Sequence, residues 1–158
     1  MGTMARSAKR GNRKLHQEEH IRHEVKVTSW DYMYSLGTPF GRKPRQPDSY
    51  EELHFLSFEG ELKIPPETGI TNISITLSGC KGLLDEERPQ PPESIGMVSL
   101  KDDVYHLFIS IPSERMSELV SIMATGKAKE VEFECPALKR YIRQVRAFSL
   151  YGFEEGMH

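Results

Sequence analysis

Hydrophobic residues alternate with polar ones along much of this chain, most cleanly at 130–135. There Val131, Phe133 and Cys135 interleave with Glu130, Glu132 and Glu134. Side chains of a strand point to opposite faces in turn, so this spacing predicts a strand with one buried face and one in water. Ile73, Ile75 and Leu77 repeat the pattern against Asn72, Ser74 and Thr76. Further strands are expected over 53–58, 95–100 and 104–111, after a first one that holds Val25 and Val27 and ends at about Trp30. Glu59-Gly60 is expected to turn or bulge the second strand before Leu62 and Ile64. Pro65-Pro66 then ends it, because proline cannot donate to a ladder. Lys101-Asp102-Asp103 reads as a three-residue hairpin loop. In the strand that follows, Tyr105, Leu107, Ile109 and Ile111 share one face, while Val104 and Phe108 flank His106 on the other. That second face is too apolar for open water, so a covering element is expected.

One segment changes period. Met116, Leu119, Val120 and Met123 fall at i, i+3, i+4 and i+7, the apolar stripe of an amphipathic helix over about 113–125. Ser113 is placed to cap it, Glu114 favours its first turn, and Gly126 can end it in a left-handed conformation. The last strand, 141–153, changes parity between Val145 and Phe148, which predicts a bulge. Residues 15–23 read as two turns of helix with a poor apolar face, 35–49 as a Gly/Pro/basic loop, and 85–93 as an acidic, proline-rich loop. The chain is therefore expected to be mainly β (β or α+β), an antiparallel β-sandwich or open barrel of about seven to eight strands with one helix. Residues 1–22 read as a basic, mobile arm and 23–158 as a single β-rich domain, large enough to bury a core without metal or disulfide staples.

Charge divides the chain in the same way. Residues 1–47 hold ten Lys or Arg against four Asp or Glu, a net of +6, and residues 48–158 hold eleven against nineteen, a net of −8. A basic arm suits nucleic acid, an anionic surface or an acidic partner, or it rests in solvent against its own acidic domain. The glutamates of 130–134 read as the wet side of an acidic sheet that could receive that arm or a cationic partner. No apolar run of about 18 residues is present, so no transmembrane helix and no membrane partner are expected. The basic N-terminus lacks the apolar core of a secretory signal. Cys80 and Cys135 cannot define a disulfide framework. A soluble, cytoplasmic protein with free thiols is the expectation.

Chemistry is harder to find than architecture. His16, Glu19 and His20 match the H-x-x-E-H pattern of a zinc hydrolase, but the segment follows a basic tail, has almost no apolar stripe and lacks an evident third ligand. No nucleophile elbow or phosphate-binding loop occurs. His54 and His106 lie in expected strands, where either could approach Cys80, although nothing in the spacing requires it. No catalytic residue, metal site or cofactor is assigned. Trp30, Tyr32 and Tyr34 recur at every second position, so an extended chain puts three rings on one side. Phe40, Arg42, Lys43 and Arg45 follow in the loop, and rings with cations make a docking segment, unless the rings serve as core. The leading expectation is a noncatalytic interaction module: an adaptor, immunity-type inhibitor or assembly subunit that binds another protein and can self-associate as a homodimer. The alternative is a nucleic-acid accessory protein using the basic arm and segment 30–45. The third is a metal-dependent hydrolase through His16, Glu19 and His20.

Overall fold

The computed structural model describes residues 18–37, 51–81, 83 and 94–152. Its strands are β1 (His20–Gly37), β2 (Glu51–Leu62), β3 (Asn72–Cys80), β4 (Gly96–Lys101), β5 (Val104–Pro112), β6 (Ala128–Pro136), β7 (Arg143–Val145) and β8 (Ala147–Gly152). A 3₁₀ turn (Ser113–Arg115) and helix α1 (Met116–Ala124) connect β5 to β6. All eight strands form one sheet in the order β7-β4-β5-β3-β2-β1-β6-β8. The β3–β5 pair is parallel and the other pairs are antiparallel, so the sheet is mixed rather than antiparallel throughout. The architecture is a mainly β open barrel with one short helix.

The two edges of this sheet meet in the chain. Arg146 alone separates β7 from β8, which lie at opposite ends of the strand order. Ile95 N–H donates to the Val145 carbonyl at 2.8 Å, and Arg146 N–H donates to the Glu134 carbonyl at 3.0 Å. Consecutive residues thus bond to opposite edges. The parity change expected between Val145 and Phe148 is this switch. Val145 is fully buried, and Phe148 and Leu150 pack against the same core from the other parity.

The core consists of the alternating residues. Leu56 and Phe58, Ile73 to Leu77, Tyr105 to Ile109, and Val131 to Cys135 bury their inward positions. Burial pushes the Cys135 thiol up to about 12, which keeps it protonated and unreactive. Tyr105 satisfies its hydroxyl on Thr68 Oγ1 at 2.6 Å. Met116 and Met123 of α1 are buried, with Leu119 and Val120 partly so, which packs the helix against the barrel core. Gly126 follows it at φ 72°, in the expected left-handed conformation. Ser113 makes no side-chain cap; the segment opens as a 3₁₀ turn after Pro112 instead. The β4–β5 hairpin is one residue tighter than expected. Lys101 pairs with Val104, leaving Asp102 and Asp103 at φ 53° and 59°, the signs required of a two-residue type I′ turn.

Three further details differ from the sequence reading. His20–His23 are strand, not helix, and β1 runs on past Trp30 to Gly37, into the stretch read as loop. Glu130, Glu132 and Glu134 line a wet face as expected, and of the cations that meet them Arg22 is the last residue of the stretch read as the arm, while the others come from the barrel. Lys63 pairs with Glu130, Arg22 with Glu132 at 3.4 Å, and Arg146 with Glu134 at 3.1 Å. The Val104–Phe108 face has no cover among the described residues; Phe108 pairs with Met97 across the strands and both stay exposed.

Candidate binding surface

Past Lys26, β1 has no described partner on one edge and keeps β2 on the other. β2 itself stays paired with β3 as far as Phe55 opposite Ser78, so among the described residues the β1–β2 ribbon stands as two strands alone only from Tyr34 and His54 to its tip. The pairing with β6 ends at Lys26, whereas β1 stays paired with β2 as far as Gly37 opposite Glu51. Just past the point where β1 leaves β6, its register with β2 shifts between Val27 and Ser29. Thr28 is the extra residue, and its hydroxyl donates to the Glu59 carbonyl at 3.0 Å. The sequence reading placed the irregularity at Glu59-Gly60; the extra residue sits on the facing strand. Gly60 is nonetheless required there, because a Cβ on it would lie 2.5 Å from the Lys26 carbonyl oxygen.

This bulge re-aims the aromatic stripe. Val25 and Val27 face the core as odd-numbered residues. After Thr28, Trp30 stands opposite Phe58, Tyr32 opposite Leu56 and Tyr34 opposite His54. Leu56 and Phe58 are fully buried, so the even-numbered residues of β1 now continue the inner face of the barrel onto the ribbon. Tyr32 packs partly against the core. Trp30 is 38% exposed, Tyr34 47% and Leu36 55%. The two readings of the rings therefore divide by residue: Tyr32 anchors, while Trp30 and Tyr34 remain accessible.

Side chains lock the ribbon together. Glu52 and His54 share a face of β2 because they are two residues apart. His54 Nε2 lies 2.7 Å from Glu52 Oε1, and Tyr34 O–H donates to Glu52 Oε2 at 2.9 Å. In the tautomer that gives Nε2–H to the carboxylate, Nδ1 accepts from Tyr32 O–H at 3.2 Å. Hydrogen bonds from His54 and then Tyr34 hold the Glu52 carboxyl below its ordinary range, and the bond to Glu52 raises Tyr34. A carboxylate–imidazole–hydroxyl chain is the order that activates a nucleophile. Here both ends of the chain are tyrosines of the facing strand, so its visible effect is to fasten β1 to β2. His54 packs against Gly79, and a Cβ on Gly79 would lie 3.4 Å from His54 Cβ. Cys80 Sγ instead points to the Lys81 carbonyl at 3.9 Å. His106 is on the exposed face of β5.

The other sequence candidates are distributed as follows. Phe40, Arg42, Lys43, Arg45 and His16 lie outside the described residues. His20 begins β1, so it lies on a strand and not on the helix that the H-x-x-E-H spacing would use. No group of three His, Cys, Asp or Glu able to hold a metal occurs among the described residues. No helix among them is long and apolar enough to cross a membrane.

The opposite end of the barrel carries a separate feature. A cavity of about 190 Å³ opens among Ile21, His23, Leu62, Ile64, Pro66 and Leu138. His23 stacks on Phe133 at 5.0 Å, and its Nε2 donates to the Cys135 carbonyl at 3.3 Å. Burial lowers its pKa despite those backbone bonds, which favours the neutral ring. Beside the cavity, buried Arg143 donates to the Ala137 carbonyl at 3.0 Å, pairs with Glu18 and lies 4.8 Å over the Tyr141 ring. A buried cation needs such partners.

Comparison with protein-family models, curated proteins and solved structures finds no match for this chain.

Proposed function

We propose that this chain is a noncatalytic interaction module that docks another protein on the β1–β2 ribbon. One observation supports this above the others: large apolar side chains stand exposed together along β1 past Lys26, where its outer edge has no described partner, and on the β2 end that faces it. Trp30, Tyr34 and Leu36 occupy its inner face, and Met33 and Leu53 the outer. Isolated exposed hydrophobics are ordinary, but a cluster on one element marks a contact surface. The Glu52–His54–Tyr32 linkage presents that surface on a braced element, which reduces the ordering cost of binding.

The test is affinity capture from the native cell with the full chain, its Trp30→Ser, Leu36→Ser variant, and an Ile142→Ser control at the other end. Leu36 and Ile142 are well exposed, but Trp30 is only 38% exposed. The ribbon variant should therefore lose about 1–3 kcal/mol, and its folding is checked by circular dichroism at the capture temperature. The control should stay within about 0.5 kcal/mol. A protein recovered in fixed proportion with the wild type and the control should fall about tenfold or more with the ribbon variant. Equal recovery with all three would end this reading. The nucleic-acid alternative has the exposed rings in its favour, since Trp30 and Tyr34 can stack on bases. Against it, residues 28–37 and 51–58 contain Asp31, Glu51 and Glu52 and no Lys or Arg. Recovery of nucleic acid, falling steeply with salt, would transfer the ribbon to that alternative.

A further inference from the structure

The free edge of β1 has an unusual combination of properties. No described strand pairs with it beyond Lys26, so on that side the stretch from Asp31 to Gly37 has no described ladder partner. Tyr32 N–H is taken by its neighbour's carboxylate, Asp31 Oδ1, at 2.8 Å. An amide bonded in the β1–β2 ladder would not be free for that contact, so Tyr32 N–H faces the open edge. By strand alternation the amides of Tyr34 and Leu36 face the same way. Natural edges are usually protected by Lys, Pro or inward charge. Between Ser29 and Gly37 the one charged residue is Asp31, and there is no proline.

The order of residues is also nearly symmetric about Met33. Reading outward from it, the pairs are Tyr32 and Tyr34, Asp31 and Ser35, Trp30 and Leu36, Ser29 and Gly37. A two-fold antiparallel contact places i opposite j and j opposite i, so each of these pairs must be complementary: tyrosine meets tyrosine, the Asp31 carboxylate meets the Ser35 hydroxyl, and apolar Trp30 meets apolar Leu36. We infer that β1 adds edge to edge to β1 of a second copy of this chain, antiparallel and centred on Met33. This rests on the reading of the ribbon as an interaction element and specifies its self-association.

In that register Tyr32 meets Tyr34 of the second copy as a hydrogen-bonded pair, which suits the outward amides. Trp30 meets Leu36 on the same inner face. Met33 faces its own copy as a non-hydrogen-bonded pair. Asp31 releases the Tyr32 amide and swings toward the Ser35 hydroxyl. Like charges stay apart, because the two Asp31 residues lie on opposite sides of the axis. Seven residues make an edge of about 23 Å. A standard interface takes about 800 Å² from each partner, so Trp30 and Leu36 must add their exposed area to the backbone pairing. The dimer is therefore expected to be weak, with a dissociation constant of about micromolar order.

Sedimentation equilibrium of the full chain over a range of concentrations tests this, with Leu36→Lys as the disrupting variant. A lysine there must be desolvated against Trp30 of the second copy, and dimerisation should weaken about tenfold or more. The register is tested by Met33→Cys in a Cys80→Ser background, since Cys135 is buried. A non-hydrogen-bonded antiparallel pair sits about 4.5 Å apart at Cα, within disulfide reach, so oxidation should give a covalent dimer. Leu53→Cys, on the far strand of the ribbon, should not crosslink. A chain that stays monomeric throughout, or a dimer that survives Leu36→Lys and leaves Met33→Cys uncrosslinked, overturns the proposal. Either failure leaves the docking reading intact if the Trp30→Ser, Leu36→Ser variant still loses its captured protein. An intact crosslink with undiminished capture does the reverse.

Discussion

Gly96→Ala is expected to destabilise the fold by about 3 kcal/mol or more, at the upper end of the cost of overpacking. The added Cβ would fall 2.0 Å from the Phe108 carbonyl oxygen and 2.9 Å from Ile109 Cα. These are backbone atoms of the neighbouring strand, so no side-chain rotation can relieve the clash. Gly96 also pairs with Ile109 on one side and Val145 on the other. Moving β4 away from β5 therefore disturbs the point where the two edges of the sheet meet. Urea unfolding should show the loss as a lower midpoint. Gly152→Ala is the matched control, because nothing lies within 4 Å of its added Cβ, and it should change stability by less than about 0.5 kcal/mol. Comparable midpoints for the two variants would refute the close β4–β5 approach.

Insertion of one alanine between Thr28 and Ser29 is expected to be the most damaging single change to the binding surface. The side-chain period of a strand is two and the bulge already absorbs one extra residue, so a second exchanges the faces of everything beyond it. Trp30, Tyr32 and Tyr34 would turn outward, and Tyr32 would leave His54 and its place against the core. The alternative is a slip of the barrel half of β1, which would take Val25 off Val131. Either outcome takes an inward side chain, half-buried Tyr32 or fully buried Val25, out of the core and should cost about 2–4 kcal/mol. Trp30 is the single tryptophan of the chain and lies beside Met123 in the wild type. Its emission should shift to the red when it faces open solvent. Unchanged emission together with unchanged stability would mean that the number of residues at the bulge does not set the ribbon's facing.

The strands at 73–77, 104–111 and 131–135 were legible because one face of each is buried and the other wet. The helix stripe and Gly126 were legible for the same reason at a different period. The bulge at Thr28 left a trace that went unused: Val25 and Val27 are odd-numbered, whereas Trp30, Tyr32 and Tyr34 are even-numbered. The glycine at 60 drew attention to the wrong strand, since a glycine marks the close approach and not the inserted residue. The Glu52–His54–Tyr32 linkage could not be read along the chain, because it depends on the register of two strands joined by residues 38–50. The same holds for the acidic face, where the partners Arg22, Lys63 and Arg146 arrive from three separate segments. The parallel β3–β5 pair had one clue, the long connection before β4, which carries the chain past the position β5 later fills. Of the docking residues expected from sequence, Trp30, Tyr32 and Tyr34 come together on the ribbon.

Backbone amide exchange along β1, followed residue by residue at low protein concentration, tests the central claim most directly: a ribbon bonded on one side, with no partner among the described residues along its other edge. Met33 and Ser35 should exchange slowly, because their amides belong to the β1–β2 ladder, while Tyr34 and Leu36 should exchange at close to the rate of open chain. Uniform protection from Met33 to Leu36 in the dilute monomer would mean that the edge is covered, and uniform fast exchange would mean that the ribbon does not form.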